Sequence, residues 1–179
     1  MFEKILTIFR KKRLAKYASN VPTGLLPLSA VSSINVVIDV EEPDFDKLKE
    51  EILAWSRQVG LKTNIYFFDF RKIGKDELLL TSIQTTIIKK ELDWIGTPEF
   101  SKVGALMYEP SDLLISLIDN GDYPIEFLSK CSKARFKIGR YPFDGHVFDM
   151  IIVGNPTEDL RSDARRIFAA MTEFIKRIM

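Results

Sequence analysis

The chain has 179 residues, of which 46% are hydrophobic, 28% are charged and 11% are aromatic. This composition is typical of one globular domain and excludes a low-complexity or collagen-like chain. The net charge of +1 gives no global attraction to nucleic acid, and a single cysteine, Cys131, excludes an internal disulfide. No apolar run approaches the roughly 20 residues of a membrane span. Charged residues also interrupt the N-terminal segment where a signal peptide would be apolar, so we expect a cytoplasmic protein.

The positive charge is concentrated at the N-terminus. Six lysines and arginines against one glutamate give residues 1–16 a net charge of +5, so the rest of the chain carries −4. Residues 2–18 have helical periodicity, and we interpret residues 1–20 as a basic amphipathic helical arm. A linker containing proline and glycine, residues 20–28, joins it to a single domain over residues 21–179. The predicted contact residues of the arm are the apolar Phe2, Ile5 and Phe9 and the cationic Arg10, Lys11, Lys12 and Arg13.

Three interpretations of the arm remain open. Its apolar face could pack on its own domain or on a second copy of the chain. It could instead lie on a membrane surface, with its cations near anionic lipid headgroups. Contact with nucleic acid is disfavoured, because no aromatic platform alternates with the cations.

The first elements of the body predict a βαβ unit. Residues 33–40 are β-branched and apolar, as in a buried strand. Asp44 is suited to cap a helix that follows it, and Gly60 is suited to end that helix after residue 59. A second strand follows at residues 62–70. Because the connections are short, we expect the two strands to lie parallel in one sheet.

The middle of the chain predicts an edge strand within residues 78–88, a loop at 93–98 and a short helix at 98–107. The following run, residues 112–118, is apolar on both faces and predicts a central strand of a parallel sheet. Trp94 lies in the loop. Its indole could close the edge of the sheet, or it could line a pocket or an interface.

The last third predicts a helix at residues 123–130, strands at 134–140 and 148–153, and a long helix at 156–178 that Asn155 caps. About seven residues join the two strands, too few for a helical crossover, so we expect them to be antiparallel. The elements together predict an α/β fold. It would be a three-layer sandwich with a mostly parallel sheet, an antiparallel edge pair and the basic N-terminal arm.

Four segments carry a resemblance to a known family: DWIGTP, SDLLISLID, YPIEFLSKCSKARFKIGRY and FDMIIVG. With the basic N-terminus and the long final helix, they resemble an uncharacterised family of small bacterial Rossmann-like α/β proteins, a domain of unknown function. The resemblance covers the chain from about residue 33 to the end. It implies a Rossmann-like fold and a cytoplasmic bacterial setting, and it implies no activity. The matching positions are Asp93, Trp94, Gly96, Pro98, Asp112, Lys133, Phe136 and Gly139.

Three predicted strands end in a carboxylate, at Asp39, Asp69 and Asp119, and Asn120 follows the last of these. The carboxyl ends of parallel strands share one edge of the sheet, where ligands bind in open α/β folds. Two such carboxylates could hold Mg²⁺, and the start of the final helix could face a phosphate. The same residue types are also ordinary turn-formers and caps, so both interpretations remain open.

Motifs that would fix a chemistry are absent from the sequence. It contains no glycine-rich dinucleotide fingerprint, no P-loop and no nucleophile elbow. One cysteine and one histidine, His146, cannot form a zinc site. We therefore expect a non-enzymatic interaction protein that uses its basic N-terminal helix to bind a protein partner, a second copy or a membrane surface. The alternative is a domain that binds a small molecule or phosphate ligand, with Mg²⁺ as a possible cofactor, through Asp39, Asp69, Asp119, Asn120 and Trp94.

Overall fold

The computed structural model describes residues 2–72, 79–154 and 163–178. The helices are α1 (Phe2–Tyr17), α2 (Phe45–Val59), α3 (Phe100–Tyr108), α4 (Tyr123–Cys131) and α5 (Ala164–Ile178). The strands are β1 (Ser33–Asp39), β2 (Lys62–Asp69), β3 (Thr86–Ile88), β4 (Ser111–Ser116), β5 (Ala134–Gly139) and β6 (Met150–Ile151). The six strands form one parallel sheet in the order β3-β2-β1-β4-β5-β6. The predicted α/β class is confirmed.

Helices cover both faces of the sheet. Alternate residues of a strand point to opposite faces, so Ile34, Val36 and Ile38 of β1 face one core cluster and Val37 faces the other. The first cluster lies under α2 and α5, and the second lies under α1, α3 and α4. Because both faces are buried, the middle of each central strand is mostly apolar, which is the pattern that predicted them.

The direction in which strands are added reverses between β1 and β4. From β1 the chain builds outward through β2 to β3, returns to the other side of β1, and builds outward again through β5 to β6. The helices that follow β1 and β4 therefore leave the sheet on opposite faces. In open parallel sheets this arrangement opens a crevice beyond the carboxyl ends of the two strands, where ligands commonly bind.

The predicted βαβ unit is confirmed, but one of its caps is not. Gly60 ends α2 with a left-handed φ of +79°, which glycine adopts without a steric penalty. Asp44 precedes α2 with a φ of +57°, and its side chain makes no capping hydrogen bond. It contacts Lys47 and Arg165 instead, at 3.2 and 3.6 Å.

Two later predicted elements, the edge strand and the final helix, are present in the described residues. The edge strand expected within residues 78–88 is confirmed as the three-residue β3, parallel to β2. The final helix is described from Ala164, where the backbone N–H of Arg165 donates to Asp163 at 2.9 Å. The predicted cap of that helix at Asn155 lies outside the described residues.

The predicted antiparallel edge pair is wrong. β6 lies parallel to β5, with Gly139 opposite Ile151. Residues 140–149 connect the end of β5 to the start of β6 without a helix, and the side chains of Val147 and Phe148 pack in the core. The prediction assumed that a parallel connection needs a helix. Here an irregular segment with buried apolar side chains connects the two parallel strands in fewer residues.

The prediction of a separate basic arm is not supported either. The predicted helix forms as α1, but it packs on the domain beside α4, and Leu14 is buried in the core. The backbone N–H of Ser19 donates to the carbonyl of Lys130 at 3.1 Å, and Gly24 bonds to Arg135 at 2.9 Å. The segment after α1 therefore follows the surface of the domain.

Asp112, one of the positions that carry the family resemblance, has a structural role. Its Oδ2 accepts hydrogen bonds from the backbone N–H and the hydroxyl groups of both Ser32 and Ser33, at 2.9 to 3.1 Å. These bonds hold the pKa of the Asp112 carboxyl below its usual value, although partial burial acts in the opposite direction. The carboxylate thus ties the start of β4 to the start of β1.

Candidate functional site

Helix α1 packs one side against the domain and leaves its other sides exposed. The side of the helix that faces the domain carries Leu14, which is buried, with Leu6, Arg10, Arg13 and Tyr17 partly buried beside it. The predicted apolar contact residues Phe2, Ile5 and Phe9 are exposed, and so is Ile8. The exposed fractions are 65% for Phe2, 43% for Ile5, 53% for Ile8 and 45% for Phe9.

The side of α1 that faces the domain packs against the loop that contains Trp94. Asp93 shapes this loop, since its Oδ1 accepts hydrogen bonds from the backbone N–H groups of Ile95 and Thr97, at 3.1 and 2.8 Å. The Nε of Arg10 donates to the carbonyl of Ile95 at 2.7 Å. Arg13 lies 3.5 Å from the Asp93 carboxylate. Two of the predicted cationic contact residues are therefore used within the domain.

Two further contacts fix Arg10 in place. Its guanidinium carbon lies 4.6 Å from the centre of the Tyr123 ring, a cation–π distance. Gly96, at φ +93°, leaves space for the Arg10 side chain, because a Cβ at this position would lie 3.2 Å from an Arg10 nitrogen. The DWIGTP motif is thus a docking loop for α1, a role that its sequence alone does not reveal.

Trp94 extends the exposed side of α1. Its side chain is 60% exposed, and its ring meets the ring of Phe9 edge to face with 5.1 Å between their centres. We use the term outer face for the surface formed by Phe2, Ile5, Ile8, Phe9 and Trp94. An exposed apolar surface of this kind marks an interaction site more often than an isolated exposed residue does.

Lysines surround the outer face. Lys4, Lys11, Lys12 and Lys16 are exposed, and none of them forms an ion pair within residues 2–72, 79–154 and 163–178. Helical spacing places Lys12 and Lys16 one and two turns beyond Ile8, in line with the apolar residues. Sequence reasoning missed Ile8, Lys4 and Lys16. The row Leu6, Arg10, Leu14 and Tyr17, at steps of four and three residues, is the signal that could have shown which side of α1 faces inward.

The carboxyl edge of the sheet brings together some of the other predicted site residues. Asp69 lies close enough to Asp39 for its negative charge to oppose the ionisation of Asp39. Asp69 is fully buried, and its two oxygens accept from Nε and Nη2 of Arg71 at 2.8 and 2.7 Å. The Oδ1 of Asp39 accepts the backbone N–H of Glu41 at 2.8 Å, and burial raises the pKa of the Asp39 carboxyl to about 6.

Asp119 lies at the same edge, paired with a buried arginine. Arg140, which follows β5, is 3% exposed; its Nη2 lies 3.2 Å from Asp119 and its Nη1 lies 2.6 Å from Glu42. Burial raises the pKa of the Glu42 carboxyl, and the charge of Arg140 partly offsets this. Asn120 accepts a hydrogen bond from the backbone N–H of Asp122 at 3.1 Å, so it forms a turn. The sequence did not reveal Arg140 or Glu42 as members of this group.

The predicted ligands at this edge are bound to other groups of the chain. Asp69 is held by Arg71 and Asp119 by Arg140. Among the described residues, no three carboxylate, histidine or cysteine side chains are grouped so as to hold a metal ion. Binding of Mg²⁺ or of a phosphate ligand at this edge therefore stays a prediction.

The comparisons with known proteins identify a family. A family model described as a family of unknown function (DUF6913) matches residues 3–164. The chain belongs to DUF6913. No curated protein and no solved structure matches this DUF6913 chain. The family description gives no activity and no organism, so the bacterial setting implied by the resemblance stays a prediction.

Asp39, at the carboxyl edge of the sheet, should make the stability of this DUF6913 protein depend on pH. The pKa of Asp39 is raised from 3.8 to about 6 by burial, so its ionised form opposes folding at neutral pH. We expect Asp39→Asn to raise the free energy of unfolding at pH 7 by about 1 kcal/mol, allowing for partial exposure. The gain should shrink as the pH falls through 6 and vanish below about 4, where the aspartate is protonated in both states.

Urea denaturation at several pH values measures this effect. Asp119→Asn is the matched control, because it makes the same substitution at the same edge but removes a charge that Arg140 attracts. It should not stabilise the protein at pH 7. A stability gain of Asp39→Asn that does not change between pH 7 and pH 4 would contradict the assignment.

Proposed function

We propose that this DUF6913 protein is a non-enzymatic peripheral protein that docks on an anionic membrane surface through the outer face of α1 and Trp94. The observation that carries the proposal is the combination of exposed aromatic and aliphatic side chains with lysines that lack ion pairs among the described residues. Helices that lie in the headgroup region have this composition, with aromatic residues in the interface and lysines near anionic headgroups.

The charges of α1 favour a bilayer over a protein partner. Lysine is depleted in protein–protein interfaces, whereas arginine and aromatic residues are enriched there. The arginines of α1, Arg10 and Arg13, turn inward to the docking loop, and the lysines remain on the exposed sides. A lysine stem can lie along apolar groups while its ammonium group reaches the headgroups, which suits Lys12 and Lys16.

The geometry supports docking of the whole domain, with α1 held in place. Arg10, Leu14 and the Asp93 loop fix α1 on the domain, so the outer face is already formed before it meets a surface. A preformed face loses less conformational entropy on binding than an unfolded segment does. Within the described residues, none of the helices is long and apolar enough to cross a membrane.

Vesicle sedimentation tests the proposal. We expect the full chain to bind vesicles that contain phosphatidylglycerol, and to bind pure phosphatidylcholine vesicles weakly. The double variant Lys12→Gln/Lys16→Gln should lose about 30-fold in affinity for anionic vesicles, at about 1 kcal/mol for each lysine. The double variant Phe9→Ser/Trp94→Ser should lose at least about tenfold, because it removes apolar surface that the bilayer would cover. High salt should weaken binding by every form of the protein.

Leu53→Ser is the control for the loss of apolar surface. Leu53 is 38% exposed, but it lies on α2, which covers the opposite face of the sheet. Its replacement should leave vesicle binding unchanged. Equal binding to neutral and anionic vesicles, or full binding by both double variants, would refute the proposal. A dimer in sedimentation velocity that Phe9→Ser dissociates would assign the outer face to a second copy of the chain instead.

A further inference from the structure

A polar cleft beside β5, formed by residues other than those of the outer face, has no role so far. Its volume is about 270 Å³, and it lies between the segment after α1, the end of α4 and the segment that precedes β6. The polar side chains that line it are those of Ser19, Thr23, Lys130, Lys137, His146 and Asp149. Three of these six carry basic nitrogen atoms and one is acidic, so the cleft favours an anion.

The acidic residue of the cleft is already bonded on both oxygens. The Oδ2 of Asp149 accepts the backbone N–H of Lys137 at 2.7 Å, and its Oδ1 accepts the hydroxyl of Thr23. No lysine lies within ion-pair distance of Asp149 among the described residues. Its charge is thus stabilised by hydrogen bonds that hold the loops together, and the positive charges of the cleft are left without a direct counter-ion.

Lys137 is buried in the wall of this cleft. It is 6% exposed, and its ammonium donates to the carbonyl oxygens of Ser129 and Lys130, at 2.9 and 3.4 Å, in the last turn of α4. These two bonds leave one ammonium N–H without a partner among the described residues. Burial lowers the pKa of Lys137 to about 8, and the charge of the nearby Asp149 offsets this only in part.

The other basic groups come from two sides. Lys130 is partly buried at the end of α4 and lacks an ion pair in the described part of the chain. His146 follows Gly145 in a loop where both residues have positive φ, +54° and +81°. A histidine in this conformation is uncommon and costs backbone energy, which often accompanies a side chain that is held in place for binding. The hydroxyl of Ser19, which accepts the backbone N–H of Val21 at 3.2 Å, keeps its own proton to donate.

We propose that this cleft binds the phosphate group of a small phosphomonoester, with Lys130 and Lys137 supplying positive charge, His146 a ring N–H donor and Ser19 a hydroxyl donor. A lysine serves as a point charge for phosphate, and several donors at one place satisfy its oxygens. The cleft lies just below the ordinary size range of ligand pockets, about 300 to 1,000 Å³, which suits a ligand of few atoms. The site is independent of membrane docking, and either proposal can fail without the other.

Titration with glycerol 3-phosphate, followed by ¹H–¹⁵N NMR and by calorimetry, tests the site. We expect saturable shifts of the backbone amides at Ser19, Lys137 and Asp149. Lys130→Met should lower the affinity about tenfold, the value of one charge-assisted hydrogen bond. His146→Asn should also weaken binding, and asparagine tolerates the positive φ of this position. Lys62→Met, which changes an exposed lysine at the start of β2, should keep the wild-type affinity within about twofold.

Lys137→Met is a poor first test, since it leaves the last carbonyl groups of α4 without a donor and is expected to reduce folding. The variants Lys130→Met and His146→Asn avoid this problem because neither side chain holds a helix end. Three results would overturn the proposal: no saturable shift below about 10 mM ligand, an equal loss in Lys62→Met and Lys130→Met, or the same shifts with sodium sulfate at equal ionic strength.

Discussion

Replacement of Arg140 by methionine is expected to lower the free energy of unfolding at pH 7 by about 3 to 5 kcal/mol, the cost of leaving a buried charge without its partner. The guanidinium is 3% exposed and donates to Glu42 at 2.6 Å and to the carbonyl of Leu117 at 2.9 Å. Methionine fills similar space but offers no donor. Glu42, whose carboxyl pKa burial already raises, would then be ionised in an apolar setting.

The pH dependence of this loss identifies its cause. Without Arg140 the pKa of Glu42 in the folded state should rise further. Glu42 should then become protonated in the folded protein at a higher pH than in the unfolded chain, which removes its buried charge. The destabilisation should therefore shrink as the pH falls from 7 to 5. The double variant Glu42→Gln/Arg140→Met should be more stable at pH 7 than Arg140→Met alone, because no buried charge remains.

Arg165→Met is the matched control for the removal of an arginine. Arg165 also meets two carboxylates, of Asp44 and Glu51, but about a third of its side chain is exposed. Its removal should reduce stability much less than that of Arg140. Urea denaturation at pH 7 and pH 5 measures the free energy of unfolding of four proteins. These are the wild type, Arg140→Met, Glu42→Gln/Arg140→Met and Arg165→Met. If Arg140→Met matches Arg165→Met, or if Glu42→Gln gives no recovery, the buried pair does not stabilise the fold.

The pattern that predicted the central sheet could not predict this buried pair. Runs such as residues 33–40 and 112–118 are mostly apolar on both faces, and this is a local property of each run. Arg140 and Glu42 are separated by 98 positions and meet only because β5 and the segment after β1 end at the same edge. Such a pairing depends on strand order, which the sequence left open.

The side of α1 that faces the domain could not be predicted, for a related reason. Hydrophobic periodicity selected Phe2, Ile5 and Phe9 as contact residues and left open whether they face the domain, a second copy or a membrane. The domain receives Arg10 and Arg13, because the Asp93 loop and the Tyr123 ring offer a carbonyl, a carboxylate and a π face. Periodicity records apolar residues only, and it cannot recognise a helix that docks through its arginines.

The second large expected effect concerns the segment before β6, because the packing of Phe148 on β5 depends on one glycine. In β5, Gly139 lies between Ser116 of β4 and Ile151 of β6. The ring of Phe148 lies over Gly139, so a Cβ built there would be 2.2 Å from two ring carbons. The backbone of Gly139 needs no positive φ, so the requirement for glycine is one of space alone.

Gly139→Ala is therefore expected to expel the Phe148 ring from the core and to lower the free energy of unfolding by about 3 kcal/mol, at the upper end for overpacking. Gly104→Ala is the matched control. Gly104 lies within α3, and its Cβ would meet only the Tyr108 ring at 3.8 Å or beyond. Alanine there should stabilise the protein by about 0.5 to 1 kcal/mol, since glycine is the poorer helix former.

The double variant Gly139→Ala/Phe148→Ala separates the contact from other effects. Phe148→Ala alone should cost about 3 to 5 kcal/mol, since the ring is 7% exposed. Once the ring is gone, the added methyl group has room, so the double variant should lose clearly less than the sum of the single losses. Additive losses, or a Gly139→Ala protein as stable as the wild type, would mean that Phe148 does not cover β5. The segment before β6 would then have to follow another path over the sheet.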